Sequence, residues 1–233
     1  MRKPSARGAI TRELATEAAL AIADRDGFDG VTMRAIAGEL GATPMALYAY
    51  FADKDALYEA MREQVFARAC DVASTARHTW QSMLDGLARA IYQIMREHPN
   101  WTPLLAHKSG FPSAGLAFLD KIFELMLRDG LEYEDVMRAY GCVMSFAMGS
   151  LLFERAMTDA GNIAPKRLAL LKEHMGRAPE RFASLAMVVA NVGPWRWDDT
   201  FDLGLRWLLA GVEAQARIGG RAAARKRSRR APR

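Results

Sequence analysis

The segment from Val31 to Leu57 constrains the fold of this chain more than any other stretch. Ile36 and Leu40 recur at helical spacing, which predicts a first short helix with an apolar inner stripe. Thr32 precedes this helix, where a side-chain oxygen can cap the free backbone donors. Gly41 follows it, where a left-handed turn residue costs least. The pattern therefore predicts a short helix that ends in a tight turn.

A second short helix follows the glycine. Thr43 is placed to cap it, and Pro44 takes the first helical position, where a missing N–H costs nothing. Leu47 and Phe51 are spaced to point inward. Two short helices across a glycine turn predict a helix-turn-helix, whose second helix fits a DNA major groove. An ordinary helical hairpin gives the same bare outline, so the outline alone leaves that alternative open.

The residue pattern of the segment is more specific than its outline. The segment contains the series Thr32-x-Arg34-x-Ile36-Ala37-x-x-x-Gly41, followed by Leu47-Tyr48-x-Tyr50-Phe51 and Lys54-x-x-Leu57. This series resembles the DNA-binding domain of the tetracycline-repressor (TetR) family. The close resemblance covers about the first quarter of the chain, and the remainder matches that family in length and all-helical pattern.

The resemblance implies which side chains contact DNA. Tyr48, Tyr50 and Lys54 are expected to contact phosphates, and Thr32 and Arg34 to assist from the preceding helix. Because a proline and a methionine are poor hydrogen-bond donors, apolar contacts with thymine methyls and shape readout are expected from the second helix. The residues expected to face base edges are Thr43, Pro44, Met45 and Ala46.

Helical periodicity continues to the end of the folded region, with no alternating strand pattern and no internal repeat. The expected fold class is therefore all-α, with a three-helix DNA-binding domain and a larger C-terminal helical domain. Breakers such as Pro99, Gly130 and Pro194 delimit the elements. The predicted helices lie at 11–26, 54–75, 80–97, 100–107, 113–128, 132–158, 166–175, 179–192 and 199–217. The predicted segments are a basic arm at 1–8, the DNA-binding domain at 9–54, an effector-binding and dimerisation domain at 55–218 and a disordered basic tail at 219–233.

Positive charge is concentrated at the two ends of the chain. Residues 1–8 carry +3 and residues 219–233 carry +7, whereas the formal net charge of the whole chain is +5. The predicted DNA-binding domain itself carries a net −3. Since neutralisation of phosphates supplies much of the affinity for DNA, the two ends are expected to supply much of the electrostatic attraction. Solvated tails that only aid solubility are the alternative.

Several classes of protein find no support in the sequence. The first residues are basic, but no apolar signal region follows and no run is expected to reach membrane-spanning length, so a cytoplasmic protein is predicted. No glycine-rich phosphate loop, nucleophile elbow or zinc-binding HExxH occurs, and the four histidines are scattered, so no enzyme, metal or cofactor is expected. Cys70 and Cys142 fall in apolar helical runs, which favours buried packing over a redox sensor.

The central helices contain many methionine and aromatic side chains. Methionine suits adaptable pockets, and the resembling family holds ligands in this domain, so an apolar effector pocket is expected here. Ordinary core packing is the alternative for each residue. The candidate pocket residues are Met83, Tyr92, Met95, Trp101, His107, Phe111, Phe118, Phe123, Met126, Tyr140 and Met144.

Small residues are interspersed in the helices predicted at 132–158 and 199–217, and small residues let a second helix approach closely. The two helices look like the dimer-forming pair of the TetR family, with packing inside one subunit as the alternative. The candidate interface residues are Met148, Leu152, Leu205, Leu208 and Val212.

These observations favour a ligand-responsive transcriptional regulator. The expected form is a homodimeric repressor that binds an inverted-repeat DNA operator and is released by a small, mostly apolar effector. A constitutive DNA-binding protein without an effector is the main alternative. A carrier of apolar ligands or an enzyme on the same helical scaffold is a third hypothesis.

Overall fold

The computed structural model describes residues 10–74, 79–106, 112–158, 163–176, 179–191 and 196–230. These ranges form α-helices and short 3-10 helices and contain no strand, which confirms the predicted all-α fold class. The chain divides into two compact units, Met1–Arg128 and Asp129–Arg233. The boundary predicted at 54/55 instead coincides with the start of a long helix inside the first unit. The functional division at that position therefore stays a prediction.

The first unit contains six α-helices in its described part and three 3-10 helices between them. The α-helices are α1 (Arg12–Asp26), α2 (Met33–Glu39), α3 (Pro44–Tyr48), α4 (Lys54–Ala73), α5 (Trp80–Glu97) and α6 (Leu116–Arg128). The 3-10 helices are Phe28–Gly30, Pro99–Ala106 and Ser113–Gly115.

Helix α4 is the central element of the first unit, where it packs against α1 and α5. The Asp53 carboxylate caps its N-terminus by accepting the Ala56 backbone N–H at 2.7 Å. Leu57, Met61 and Ala69 are buried along it, as the apolar spacing predicts. The first unit is thus built around one long helix, which follows the helix-turn-helix after a short connection at 49–53.

The second unit contains four α-helices in its described part. They are α7 (Tyr133–Thr158), α8 (Ile163–Gly176), α9 (Ala183–Asn191) and α10 (Trp197–Arg230), with a 3-10 helix at Pro179–Phe182 between α8 and α9. Helices α7 and α10 pack together, and the rings of Phe146 and Phe201 stack with centroids 5.6 Å apart. A Cβ atom at Gly204 would collide with the Phe146 ring, so glycine permits the close approach at this point.

Helix α10 is longer than the sequence pattern predicts. It continues to Arg230, whereas the segment from 219 onward was expected to be disordered because of its charge. The alanines at 222–224 and the arginines around them have high intrinsic helix propensity, and no proline interrupts the segment before Pro232. Local propensity therefore prevails over charge repulsion in this backbone.

Three other segments differ in helix type, and one of them is Pro179–Phe182, a 3-10 helix at the start of the helix predicted at 179–192. Residues Pro99–Ala106 form a 3-10 helix rather than the α-helix predicted at 100–107, and Pro103 lies inside it. Proline inside an α-helix removes a hydrogen bond and its ring clashes with the preceding turn, which disfavours a regular α-helix in this segment. The helix predicted at 113–128 begins with a separate 3-10 turn at Ser113–Gly115 before α6.

Helix α7 is more apolar than expected. Its stretch Tyr133–Met157 is long and apolar enough to span a membrane, with a mean hydropathy of 1.4 in the most apolar 18-residue window. The prediction that no run reaches membrane-spanning length was therefore wrong. The core helix of a soluble protein meets the same criterion, and 39% of that window is buried inside the protein.

Candidate functional site

The α2–α3 segment forms the predicted helix-turn-helix. The Thr32 side chain accepts the Ala35 N–H at 3.1 Å, and the Thr43 side chain accepts the Ala46 N–H at 3.3 Å. Gly41 between the two helices has φ 63°, in the left-handed region that favours glycine. Ile36 and Leu47 are fully buried. Both predicted caps and the glycine turn are confirmed.

The candidate DNA-binding side chains lie on the exposed side of this segment. Met45 is 78% exposed and Tyr48 is 50% exposed. Ala46 is half-buried, because it lies beside the inward-facing Leu47. The other exposed candidates are Thr32, Arg34, Thr43, Pro44, Tyr50 and Lys54. Met45 lies on the outer side of a capped helix, so it is not a core residue and its side chain is available to a partner.

Tyr50 differs from the other candidates, because its hydroxyl already donates a hydrogen bond within the protein. The hydroxyl donates to the Ile10 main-chain carbonyl just before α1. Arg12 donates from Nη1 to the Tyr50 carbonyl at 3.3 Å, and its guanidinium lies 5.2 Å from the Phe51 ring centroid. The sequence pattern did not predict the two hydrogen bonds of Tyr50, because their partners Arg12 and Ile10 lie 38 and 40 positions away.

Two cations are placed at the edges of the exposed segment. Lys54 is the first residue of α4, and its Nζ lies 5.2 Å from the Tyr58 ring centroid. Arg34 is exposed on α2. Arg25 instead pairs with Asp26 at 3.0 Å and Glu39 at 3.2 Å, and hydrogen bonds to those carboxylates raise its pKa. Arg34 and Lys54 are therefore exposed cations among the candidate phosphate contacts, together with the Tyr48 hydroxyl.

The effector-pocket candidates belong to both units. In the first unit, Phe118 and Phe123 are half-buried. In the second unit, Tyr140 and Met144 are buried. His107 and Phe111 lie outside the described residues. The remaining candidates, all buried in the first unit, are Met83, Tyr92, Met95, Trp101 and Met126.

Trp101 has a specific structural contact among these candidates. Its indole Nε1 donates to the main-chain carbonyl of Leu20 in α1 at 3.1 Å, and its side chain is 2% exposed. The Trp101 side chain thus contacts α1, the first helix of the predicted DNA-binding domain.

An open, mostly apolar groove of about 830 Å³ lies between α7 and α10. Leu208 and Val212 line it, together with Trp207, which is 67% exposed. Among the other interface candidates, Leu152 is exposed and Met148 is half-buried.

One interface candidate was wrong. The side chain of Leu205 is 0% exposed within a single chain, so it has no surface left to bury against a second copy. It lies one helical turn after Phe201, which is also buried, and belongs to the core of the second unit.

The two cysteines differ from each other. Cys70 is buried, and its pKa is raised to about 11, mainly by burial and secondarily by the charge of Asp71. Cys142 is exposed and lines the α7–α10 groove, so the prediction that both are buried was wrong for Cys142. Within the described ranges, no group of three or more His, Cys, Asp or Glu side chains is placed to hold a metal ion.

Two family models match the chain. Residues 15–61 match the bacterial regulatory proteins of the tetR family, and residues 74–216 match the tetracyclin repressor-like C-terminal domain. The second match alone covers more than half of the 233 residues.

Relatives with similar sequences are transcriptional regulators. The HTH-type transcriptional repressor DrrR1 of Streptomyces coeruleorubidus is 30% identical over 144 residues, which cover 60% of this chain and 52% of DrrR1. The match thus spans about half the length of that relative. An HTH-type transcriptional regulator of Saccharopolyspora erythraea is 27% identical over 213 residues, 89% of this chain and 86% of the relative.

Solved structures show the same fold. Apo ActR from Streptomyces coelicolor superposes with a TM-score of 0.75 at 21% identity, covering 90% of this chain and 97% of ActR. ActR in complex with (S)-DNPA gives a TM-score of 0.73 at 20% identity, covering 89% of this chain and 98% of ActR. With a capped helix-turn-helix in its first unit and family matches over both of its regions, the chain belongs to the TetR family of DNA-binding transcriptional regulators.

Proposed function

We propose that this regulator is a repressor that binds an inverted-repeat operator as a homodimer in the cytoplasm, and that a small, mostly apolar effector releases it. The observation that carries the proposal is the exposed side of α2 and α3, where Met45 and Tyr48 point away from the core on capped helices. Side chains held this way are preorganised for a partner surface.

The proposed division of roles on DNA is the one that the resemblance to the TetR family implies. Thr43, Pro44, Met45 and Ala46 at the start of α3 would face base edges, with Met45 and Pro44 against thymine methyls. Tyr48 and Lys54 would contact phosphates on either side, with Thr32 and Arg34 assisting from α2. Because Tyr50 already donates its hydroxyl proton to Ile10, it can only accept a hydrogen bond there. We therefore assign Tyr50 a supporting role rather than a direct donor contact.

The α7–α10 groove supports assembly as a homodimer. Trp207 is exposed on α10, and the glycines at 141, 149 and 211 lie on the exposed sides of α7 and α10. Small residues beside large apolar ones allow two helices to pack closely. A symmetric pair of α7 and α10 would form a four-helix contact, and its two-fold symmetry would match an inverted repeat with half-sites about 34–36 Å apart.

An effector is supported by the relatives and by the composition of the central helices. ActR has been solved with (S)-DNPA and with actinorhodin, and DrrR1 is a repressor. In this chain the candidate pocket residues are methionines and aromatics with few charges, which favours a largely apolar ligand. Such a ligand releases DNA only to the extent that it binds the DNA-incompetent conformation more tightly.

A constitutive DNA-binding protein is the second candidate function. The charge distribution favours it, because residues 219–233 carry +7 whereas residues 9–54 carry −3. If the basic ends of the chain supplied most of the affinity for DNA, the protein would bind any DNA sequence with similar affinity.

Selection of DNA from a random pool, followed by titration of the selected and scrambled sequences at several salt concentrations, tests the proposal. A homodimeric repressor is expected to select an inverted repeat and to prefer it over scrambled DNA by about 1,000-fold or more. Selection of unrelated sequences with equal affinities would contradict the proposal and favour the constitutive binder.

A further inference from the structure

One side of α1 is held by side chains from outside the three-helix domain. Glu17, Leu20 and Asp24 follow each other at helical spacing, so they share that side of the helix. Glu17 accepts a hydrogen bond from α4, and Leu20 accepts one from the 3-10 helix Pro99–Ala106. Asp24 is paired with His98, the residue before that 3-10 helix. The contacts join the DNA-binding helices to the rest of the first unit.

Trp101 makes the most buried of these contacts. Its indole Nε1 donates to the Leu20 carbonyl at 3.1 Å. Its ring stacks on the His98 ring, with centroids 3.7 Å apart and an interplanar angle of 4°. A buried indole N–H without a partner is costly, so this single geometry is favoured over rotation of the ring.

His98 and Asn100 bind the next turn of α1. The Nδ1 of His98 lies 2.8 Å from the Asp24 carboxylate, and Asn100 donates to the Asp24 carbonyl at 3.1 Å. His98 also ends α5, where its N–H donates to the Ile94 carbonyl. The C-terminal end of α1 is therefore fixed to the C-terminal end of α5.

Helix α4 completes the contact from the other direction. Gln64 and Arg68 both donate to the Glu17 carboxylate, at 2.6 Å and 2.9 Å. The Arg68 guanidinium also lies 5.8 Å from the Trp101 ring centroid. One arginine thus connects the carboxylate on α1 with the tryptophan that binds the following turn of α1.

We propose that these contacts, the α1 clamp formed by Gln64, Arg68, His98, Asn100 and Trp101, fix the orientation of the DNA-binding helices and so determine operator specificity. The inference rests on the proposed homodimeric operator binding. The helix-turn-helix segments of the two subunits must keep a fixed separation and angle to contact both half-sites. Phosphate contacts on arbitrary DNA tolerate a range of orientations. A clamp that removes orientational freedom before binding therefore strengthens specific binding more than non-specific binding.

The clamp also gives Trp101 a positioning role in place of the effector contact expected from the sequence. An aromatic ring that only lined an apolar pocket would have no requirement for its N–H. Here the N–H is committed to the backbone of α1, and the ring is 2% exposed.

The test is Trp101→Phe, which retains an aromatic ring for His98 and Arg68 and removes the N–H together with the five-membered ring of the indole. We expect affinity for the selected operator to fall up to about fivefold per subunit, the effect of one net hydrogen bond, with affinity for scrambled DNA unchanged. Asn100→Ala is expected to lower the ratio of operator affinity to scrambled-DNA affinity as well. Asn100 is exposed, so this change should not unfold the protein. Trp80→Phe is the matched control, because Trp80 is a buried tryptophan of the same unit at the opposite end of α5.

Hydrogen exchange supplies a readout independent of DNA. Backbone amides of α1 are expected to exchange faster in Trp101→Phe than in wild type, with exchange in α6 unchanged. Equal operator-to-scrambled ratios in wild type, Trp101→Phe and Asn100→Ala would overturn the clamp. An equal loss of both affinities with faster exchange throughout the first unit would also overturn it, because it would show general destabilisation. If wild type itself shows no preference for an inverted repeat, the proposed function is wrong. If hydrogen exchange in α1 is the same in Trp101→Phe and wild type, the clamp is wrong, whatever the DNA result.

Discussion

The hydroxyl of Tyr50 donates a hydrogen bond to the main-chain carbonyl of Ile10, the second residue before α1. The contact ties the entry to α1 to the end of the helix-turn-helix, beside the Arg12 contact with the Tyr50 carbonyl. A residue that the family pattern associates with DNA therefore also holds the domain together. Tyr48, at the end of α3, has a side chain that is half exposed.

The two tyrosines are expected to respond differently to loss of the hydroxyl. Tyr50→Phe should lower stability by about 1 kcal/mol, the net value of one hydrogen bond, which corresponds to a melting temperature lower by about 2–4 °C. Tyr48→Phe should leave the melting temperature unchanged and weaken operator binding, because its hydroxyl is available to a phosphate. Calorimetry and operator titration of both variants measure the difference. The reverse pattern, with Tyr48→Phe as the destabilised variant, would contradict these roles.

Lys54→Ala is expected to weaken binding to all DNA sequences by a similar factor. Loss of one phosphate contact releases one counterion fewer, so the slope of log affinity against log salt should become shallower by about one unit. Lys121→Ala is the control, since Lys121 is exposed on α6 and pairs with Glu124 at 2.7 Å. Slopes that are the same for wild type and Lys54→Ala would rule out a phosphate contact for Lys54.

Leu208→Glu is expected to disrupt the homodimer. The side chain lines the α7–α10 groove, so a dimer across this groove would bury an unpaired carboxylate at a cost of several kcal/mol. Sedimentation should show a monomer whose far-UV circular dichroism remains helical. Leu127→Glu, at an exposed leucine of α6, should remain dimeric. A folded dimer carrying Leu208→Glu would place the interface elsewhere.

Deletion of residues 219–233 is expected to lower non-specific affinity and to leave the operator sequence preference intact. The segment carries +7, and charge alone neutralises phosphates without distinguishing bases. Since α10 extends to Arg230, the deletion should also reduce the helical signal in circular dichroism. A truncated protein that no longer distinguishes its operator from scrambled DNA would show that the basic end takes part in recognition.

Features set by local interactions could be predicted from the sequence. The caps at Thr32, Thr43 and Asp53 and the left-handed Gly41 all depend on residues a few positions apart, and the structure contains each of them. The exposed side of α3 followed from the inward spacing of Leu47 and Phe51, both of which are buried. Local chemistry thus specified the helix-turn-helix closely.

Features that depend on distant partners or on the choice of an inner face were not predictable in the same way. The Tyr50–Ile10 bond and the α1 clamp join residues between 40 and 81 positions apart. Helix α10 is apolar on more than one side, so periodicity could not separate the buried Leu205 from Leu208 in the groove. The same ambiguity on α7 concealed the exposure of Cys142.

We expect one protein to bind both an operator and an apolar effector, and each of the two to weaken binding of the other. A compound that raises the melting temperature in a thermal-shift screen should bind the folded state, and its effect on operator affinity is the decisive measurement. We expect such a compound to lower operator affinity by about 5- to 150-fold. Phe118→Ala and Met144→Ala should reduce this response while leaving operator affinity without the compound nearly unchanged. If compounds that raise the melting temperature leave operator affinity unchanged, the effector-responsive account is wrong and constitutive DNA binding becomes the better explanation.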